Sequence, residues 1–300
     1  MSRVLVSGGT GFVGRFIVEH LIAHRYEVIV SGRHPPDNSF FSRNLPFVPL
    51  VLDLDRDQSA AFDGIDGFVH AAFDHVEGKY RGGEGDDPEG FRRANIDGSI
   101  RLFETARAAG VKRCVFLSSR AVYGSRRPGP IDETFAPDPD TLYGAVKVAV
   151  EDHLRLLATE DFSVASLRVT GVYGAAAPGR QHKWAELFAN YLDGKPIQPR
   201  IGTEVHGDDV GAAVRLMLEA DSDTVRGEVF NVSDLLLDVR QILSVVQTLT
   251  GSRHPLPEAA SADGYLVMST EKLRRLGWQP GGSELLATTI RELVTDSKSA

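Results

Sequence analysis

The sequence of 300 residues holds a single cysteine, Cys114, so the chain can form neither an internal disulfide nor a thiolate metal site. That residue lies in the apolar run Cys114-Val-Phe-Leu117, where a buried, inert thiol is expected. No apolar stretch approaches the roughly twenty residues that cross a bilayer. The chain opens Met1-Ser-Arg-Val and passes straight into a strand pattern instead of a leader, so a cytoplasmic protein is expected. No lysine/arginine block offsets the formal net charge of −8, which argues against nucleic acid and anionic membranes as partners and for a small molecule. Gly-Lys-Ser/Thr is absent, which excludes a phosphate-transfer loop, and neither internal repeats nor low-complexity tracts occur.

What is present is a globular composition, 42% hydrophobic and 25% charged, long enough for one large domain or one and a half. Short apolar runs recur at Val4-Leu-Val6, Val28-Ile-Val30, Val48-Pro-Leu-Val-Leu52, Phe68-Val69, Cys114-Val-Phe-Leu117 and Val164-Ala-Ser-Leu167. Strands buried on both faces of a parallel sheet have this character. Between them, residues 12–24, 89–109 and 143–159 carry apolar positions at three- and four-residue steps, the pattern of crossover helices. The fold class is therefore α/β, a doubly wound parallel sheet of the Rossmann kind with a smaller C-terminal α/β substrate lobe. Residues 1–170, joined by roughly 206–232, are expected to form the dinucleotide-binding domain, and 171–205 with 233–300 the substrate lobe. Residues 75–90, rich in glycine and charge, read as a surface loop, with a lid over the site as the alternative. Residues 297–300 are expected to fray.

The turn Ser7-Gly-Gly-Thr-Gly-Phe-Val-Gly14 lies between the first strand and the first helix. Glycines there permit a tight turn and close approach of the backbone to a pyrophosphate, which sits against free N–H groups at the helix start. Gly8, Thr10, Gly11, Phe12, Val13 and Gly14 are thus candidate cofactor contacts. At the end of the second strand, where NAD sites place a carboxylate on the ribose, Gly32 and Arg33 stand instead. A guanidinium suits a 2′-phosphate, so NADP(H) is the favoured cofactor and NAD(H) the alternative; an arginine that merely ends a strand is the plainer reading. Ser31 and His34 are secondary candidates.

Tyr143 and Lys147 share one helix face in Leu142-Tyr-Gly-Ala-Val-Lys147. A nearby ammonium favours the phenolate over a phenol whose free pKa is about 10, which makes an acid/base group.

Together these motifs resemble the extended short-chain dehydrogenases/reductases of the NAD(P)-dependent epimerase/dehydratase type over nearly the whole chain. The Gly-x-x-Gly-x-x-Gly spacing is similar, and Asp53-Leu54 resembles the pair that contacts adenine at the end of the third strand. His70-Ala-Ala72 resembles the segment lining the cofactor, so His70, Ala71 and Ala72 join the cofactor candidates, as does Asn95, which matches the asparagine that steadies the central helix. Leu117-Ser-Ser-Arg-Ala-Val-Tyr-Gly124 matches the strand end that carries the catalytic hydroxyl, here Ser119. Arg168-Val-Thr-Gly-Val-Tyr-Gly174, Val205-His-Gly-Asp-Asp-Val210, Val229-Phe-Asn-Val232 and Leu276-Gly-Trp278 are further family-like blocks. The resemblance implies an enzyme in which Tyr143 moves a proton on a substrate oxygen, Lys147 lowers its pKa and holds the nicotinamide ribose, and Ser119 hydrogen-bonds that oxygen. It also implies a homodimer through the helices at 89–109 and 143–159, and no metal.

Similar dehydratases carry an Asp-Glu pair where this chain has Arg120 and Ala121, which argues against dehydration. Net reduction of a sugar or nucleotide-sugar carbonyl is favoured by the NADP(H) reading, with nucleotide-sugar epimerisation as the alternative. A non-catalytic NADP(H)-binding sensor is the alternative of another class. Gly171 replaces an asparagine that many nucleotide-sugar members show, and the stretch before Val205 is short, so a smaller sugar or sugar acid is a further possibility. Arg180, His182, Lys183 and Arg200 are candidates for anionic substrate groups, with simple solvation the plainer reading. His206, Asp208 and Asp209 fit helix capping better than catalysis, Tyr123 and Tyr173 fit structural or pocket-lining roles, and His70 fits a wall of the site before a base.

Overall fold

A computed structural model describes residues 2–76, 83–125 and 130–296. The chain opens with β1 (Arg3–Ser7), α1 (Phe12–Ala23), β2 (Glu27–Gly32), β3 (Phe47–Pro49) and β4 (Gly67–His70). Then come α2 (Pro88–Arg92), one wide π-helical turn (Arg93–Gly98), α3 (Ser99–Ala108), β5 (Arg113–Ser119), β6 (Pro130–Ile131) and α4 (Leu142–Leu157). They are followed by β7 (Ser163–Val169), β8 (Gly171–Tyr173), α5 (Ala185–Leu192), β9 (Ile201–His206), α6 (Gly207–Glu219) and α7 (Ser222–Val225). The last elements are β10 (Val229–Val232), β11 (Leu235–Asp238), α8 (Val239–Thr250), β12 (Val267–Met268), α9 (Glu271–Arg275) and α10 (Gly282–Asp296).

Seven strands form a parallel sheet in the order β10-β7-β5-β4-β1-β2-β3. Val4, Val6, Val28 and Val30 point to one face, against Ile17, Val18 and Leu21 of α1 and Val210 and Val214 of α6. Leu5, Ile29, Phe68, Cys114 and Phe116 point to the other, against Leu102 and Phe103 of α3 and Val150 and Leu154 of α4. Both faces are covered, so these runs are apolar with the one exception of Ser166, and the sheet is doubly wound as the sequence predicts. Cys114 is buried in the second of these cores, and burial pushes its thiol pKa up, which keeps it protonated and unreactive. The chain turns from β2 on one side of β1 to β4 on the other, which places the topological switch point, where folds of this kind bind their ligands, at the carboxyl ends of these strands.

A second sheet, β11-β9-β8, packs with α5, α8 and α10 around Trp184, Phe188, Tyr191, Leu243 and Ile290. Between these elements α6 returns to α1, and β10 joins the edge of the central sheet beside β7. Among the described residues no helix is long and apolar enough to cross a membrane.

Two elements differ from the sequence expectation. β3 ends at Pro49 because the Gln58 side chain takes both backbone groups of Val51, at 2.8 and 2.9 Å, and draws the chain out of the sheet. The helix expected over 89–109 starts at Pro88, with the Asp87 carboxylate accepting from the Gly90 N–H at 2.8 Å, and widens into the π turn before α3. The end of the 75–90 run is thus helical. Residues 77–82 of that run, and the expected fraying at 297–300, lie outside the described residues.

Asp209, in the first turn of α6, is buried and accepts the Gly281 N–H with both oxygens at 3.1 Å, while its carbonyl accepts the Trp278 indole N–H at 2.9 Å. Asp234 accepts the Gly282 N–H at 2.9 Å, so two carboxylates hold the start of α10. Burial, aided by the charges of Asp234 and Asp208 and opposed by the Gly281 N–H and Arg274, raises the pKa of Asp209 to about 6. A raised carboxyl pKa stabilises the fold fully only below the unfolded value near 4, and that contribution is lost as the pH rises through about 6. Asp209→Asn is therefore expected to be more stable than the parent by about 1 kcal/mol at pH 7.5 and to lose that advantage at pH 4, as read by thermal unfolding at both values.

Candidate active site

Every residue assigned from the sequence to cofactor or catalysis lies at or just beyond the carboxyl ends of β1, β2, β3, β4 and β5, or on α1, α4 and the π turn. The glycine-rich turn follows β1. Gly8 has φ +71°, and a Cβ there would stand 2.5 Å from the Ala72 nitrogen, so Ala71 and Ala72 back directly onto the turn. A Cβ on Gly14 would collide with the Gly8 carbonyl. α1 starts at Phe12 after Gly11, and no side chain caps it, which leaves first-turn N–H groups to receive an anion. This cradle fits the pyrophosphate of a dinucleotide. Arg33 follows β2 and pairs with Asp74 at 3.7 Å, both side chains more than half exposed. Asp53 and Leu54 stand in the loop beyond β3, not at its end, and line a cleft with Gly90, Arg93 and Ala94.

His70 ends β4 with its ring committed on both sides. Ser99 Oγ donates to the Asn95 carbonyl at 2.6 Å and so accepts from His70 Nε2 at 3.0 Å, which leaves Nδ1 to accept from Ser7 Oγ at 2.6 Å. Burial first, then the charge of Lys147, lowers its pKa to about 3, so the imidazole is neutral and serves as a strut. Asn95, in the π turn, accepts from the Asp74 N–H and donates to the Asp74 carbonyl, each at 2.7 Å, and donates to the Phe91 carbonyl at 2.9 Å. It fixes the chain just after Ala72.

Tyr143 and Lys147 lie one turn apart on α4, whose start is capped by Thr141. Lys147 Nζ is 5.8 Å from the Tyr143 ring centre and donates to the Leu117 carbonyl of β5 at 2.7 Å. It is also 4.6 Å from the ring centre of Phe73 and 4.7 Å from that of Phe116. Burial among these rings lowers the lysine pKa to about 7, against the opposing pull of Glu151. Phe73 also meets Tyr143 edge to face at 5.0 Å, so one ring holds both groups. No sequence signal beyond its place after His70-Ala-Ala72 marks Phe73. Ser119 ends β5, and its Oγ accepts from the Ala121 N–H at 3.2 Å, which leaves the hydroxyl proton free to donate elsewhere.

Beneath these residues lies a buried network that motif reading missed. Arg168 of β7 and Glu151 of α4, 2% and 1% exposed, form a bidentate pair at 2.7 to 3.2 Å. Ser118, beside Ser119, donates to the same carboxylate. Arg168 also donates to Tyr123 Oη at 2.8 Å, and Tyr123 donates to Asn231 Oδ1 at 2.9 Å, which makes Tyr123 structural. Glu151 lies one turn beyond Lys147, a spacing visible in the sequence.

Outside this cluster, His206 caps α6 by accepting the Asp208 N–H at 3.1 Å, as the capping reading expects. Tyr173 is buried and stacks on Trp184 at 5.1 Å. Arg180 lies over Phe40 at 5.6 Å, and Arg200 is exposed. Lys183 is not simply solvated: it pairs with Glu204. Among the described residues no cluster of histidine, cysteine or carboxylates is arranged to hold a metal ion.

A doubly wound sheet with a glycine cradle at its switch point defines a Rossmann-type nucleotide-binding enzyme. The model of the NAD dependent epimerase/dehydratase family matches residues 4–233, and the chain belongs to that family. It is 28% identical to a UDP-glucose 4-epimerase of Streptomyces lividans, over 94% of this chain and 93% of that one. The solved UDP-glucose 4-epimerase of Thermotoga maritima with UDP-glucose is similar at a TM-score of 0.79 and 26% identity, over 99% of each chain. So is MoeE5 in complex with UDP-glucuronic acid and NAD, at 0.79 and 26%, again over 99% of each.

Proposed function

We propose that this enzyme transfers hydride between NADP(H) and a sugar or nucleotide-sugar oxygen-bearing carbon, with net carbonyl reduction as its direction, in the cytoplasm. The observation that carries the reading is the clustering of Tyr143 and Lys147 on α4, with Lys147 bonded to β5 two residues before Ser119. The bound nicotinamide supplies the hydride donor or acceptor at C4. Tyr143 delivers its phenolic proton to the substrate oxygen as the carbonyl carbon is reduced, or takes that proton in the reverse direction. Lys147, charged, stabilises the phenolate left behind. Ser119, with its own oxygen already accepting from Ala121, donates to the substrate oxygen and stabilises the charge that builds there.

Arg33 supports NADP(H). Its exposed bridge to Asp74 is weak and gives way to a 2′-phosphate at little cost. Gly8, Thr10, Gly11, Phe12, Val13, Gly14, Ala71 and Ala72 form the pyrophosphate cradle, while Asp53 and Leu54 in their cleft supply the adenine contact. His70 and Asn95 act indirectly, through the backbone they hold. A second reading, nucleotide-sugar epimerisation with NAD(H), draws on the relatives named UDP-glucose 4-epimerase. In the wider division of labour, residues 1–170 with 206–232 bind the dinucleotide, and 171–205 with 233–300 bind substrate.

A homodimer through α3 and α4 fits their outer surface, where Leu156 is 86% exposed beside a groove lined by Glu104, Arg107, Ala108 and Leu157.

Tyr143→Phe is expected to lose about a thousandfold in turnover while cofactor affinity stays constant, whereas a binding sensor would show no change in its response. Arg33→Ala is expected to weaken NADPH binding by about tenfold or more and NADH binding much less; equal losses would favour the epimerase reading. Sedimentation should give twice the mass of one chain, and Leu156→Glu should shift the protein toward monomer.

A further inference from the structure

The strands β8 and β9 carry a charge pair that the catalytic residues do not use. Glu204 of β9 lies beside Gly171 of β8 and is 9% exposed, and its Oε2 receives Lys183 Nζ. Two glycines shape the slot it fills. A Cβ on Gly171 would stand 2.7 Å from Glu204 Oε2 and 2.8 Å from Lys183 Nζ. A Cβ on Gly202 would stand 3.7 Å from Glu204 Oε1 and 4.0 Å from Tyr265 Oη. The carboxylate and the phenol thus face the same gap over the β9 backbone, and among the described residues neither Oε1 nor Tyr265 Oη has a hydrogen-bond partner. Tyr265 in turn lies 5.3 Å beneath the guanidinium of Arg120, the residue next to Ser119. A row of side chains therefore runs from Arg120, the chain neighbour of the proposed catalytic hydroxyl, through Tyr265 toward Glu204 and Lys183.

We infer that Glu204, Lys183 and Tyr265 form a substrate-recognition subsite for the vicinal hydroxyls of a free monosaccharide or sugar acid, and that the site does not take a nucleoside diphosphate. This rests on the hydride-transfer reading and narrows its substrate. The chemistry of this row sets the class. Glu204 Oε1 accepts only, Lys183 donates only, and Tyr265 does either, so adjacent hydroxyls that both donate and accept can satisfy all three. A diphosphate offers acceptors alone. Turned to this row it would leave Glu204 Oε1 facing acceptors only, whereas a sugar acid can present its hydroxyls here and direct its carboxylate elsewhere. Any side chain at position 171 would displace this pair, so the glycine and the charge pair belong together.

The test is calorimetric titration of the full chain saturated with NADP+ or NAD+, using UDP, neutral hexoses and hexuronates as separate probes. A hexose or hexuronate is expected to bind, and UDP to give no heat at about 1 mM. The neutral and acidic arms show which of the two sources supplies the hydroxyls. Glu204→Gln is expected to raise KM for the responding sugar about tenfold with kcat and cofactor affinity kept, and Gly171→Asn to abolish sugar binding. Lys183→Gln, at a partly exposed side chain, serves if the Glu204 variant does not fold. UDP binding in the micromolar range, no heat from any sugar, or an unchanged KM in Glu204→Gln would overturn the inference. Failure of the reading beneath it shows separately, as absent cofactor binding or as turnover that survives Tyr143→Phe.

Discussion

The arrangement of the site depends on a pair of opposite charges sealed from solvent, Arg168 and Glu151. Such a pair is tolerated inside a protein only when its remaining polar atoms are answered, and here Ser118 and Tyr123 answer them. The pair locks α4 against β5 and β7 at once. Ser119 is adjacent to one member of the network, and Lys147 and Tyr143 stand one and two turns up the helix from another, so their relative positions follow from it. Removing either charge would strand the other in a dry interior, a loss on the order of 3 to 5 kcal/mol. Through Asn231 the same network reaches β10, which couples the far edge of the sheet to the residues above it.

Lys147 sits under opposed influences. Burial strips water from its ammonium and favours the neutral amine, while Glu151 and the faces of Phe73 and Phe116 favour the charged form. The result is a group balanced close to neutrality. That balance suits the role proposed for it beside Tyr143. His70, in the same neighbourhood, has no such balance. Burial and the lysine both oppose its protonation, so it can only brace the ends of β1 and β4.

The central sheet, the glycine turn and the Tyr143/Lys147 pair were legible in the sequence because each depends on spacing within a short segment. β1, β2, β4, β5 and β7 appear as apolar runs since both faces of the sheet are covered. The end of β3 was not legible, because Gln58, a side chain seven residues away from Val51, takes over the backbone. Nor was the π turn, whose residue preferences do not differ visibly from those of an α-helix. Asp53 and Leu54 were consequently placed on a strand that stops before them. Pairings across elements left the least trace: Arg168 with Glu151, Lys183 with Glu204, and Phe73 against both Tyr143 and Lys147 are set by tertiary packing. The local bond from the Ala121 N–H to Ser119 Oγ likewise has no signature in the motif.

The wide turn at Arg93–Gly98 reaches beyond Asn95. A π turn takes in one residue more than the α ladder on either side, which rotates all that follows by about 100°. The two halves of this stretch therefore address different compartments. Phe91, before the turn, meets Phe73 with 5.4 Å between ring centres, whereas Leu102 and Phe103, after it, enter the core under the sheet. A uniform helix with one apolar stripe could serve only one of those surroundings. The angular offset of a single residue lets one continuous segment brace the reaction crevice at its first end and fill the protein interior at its second.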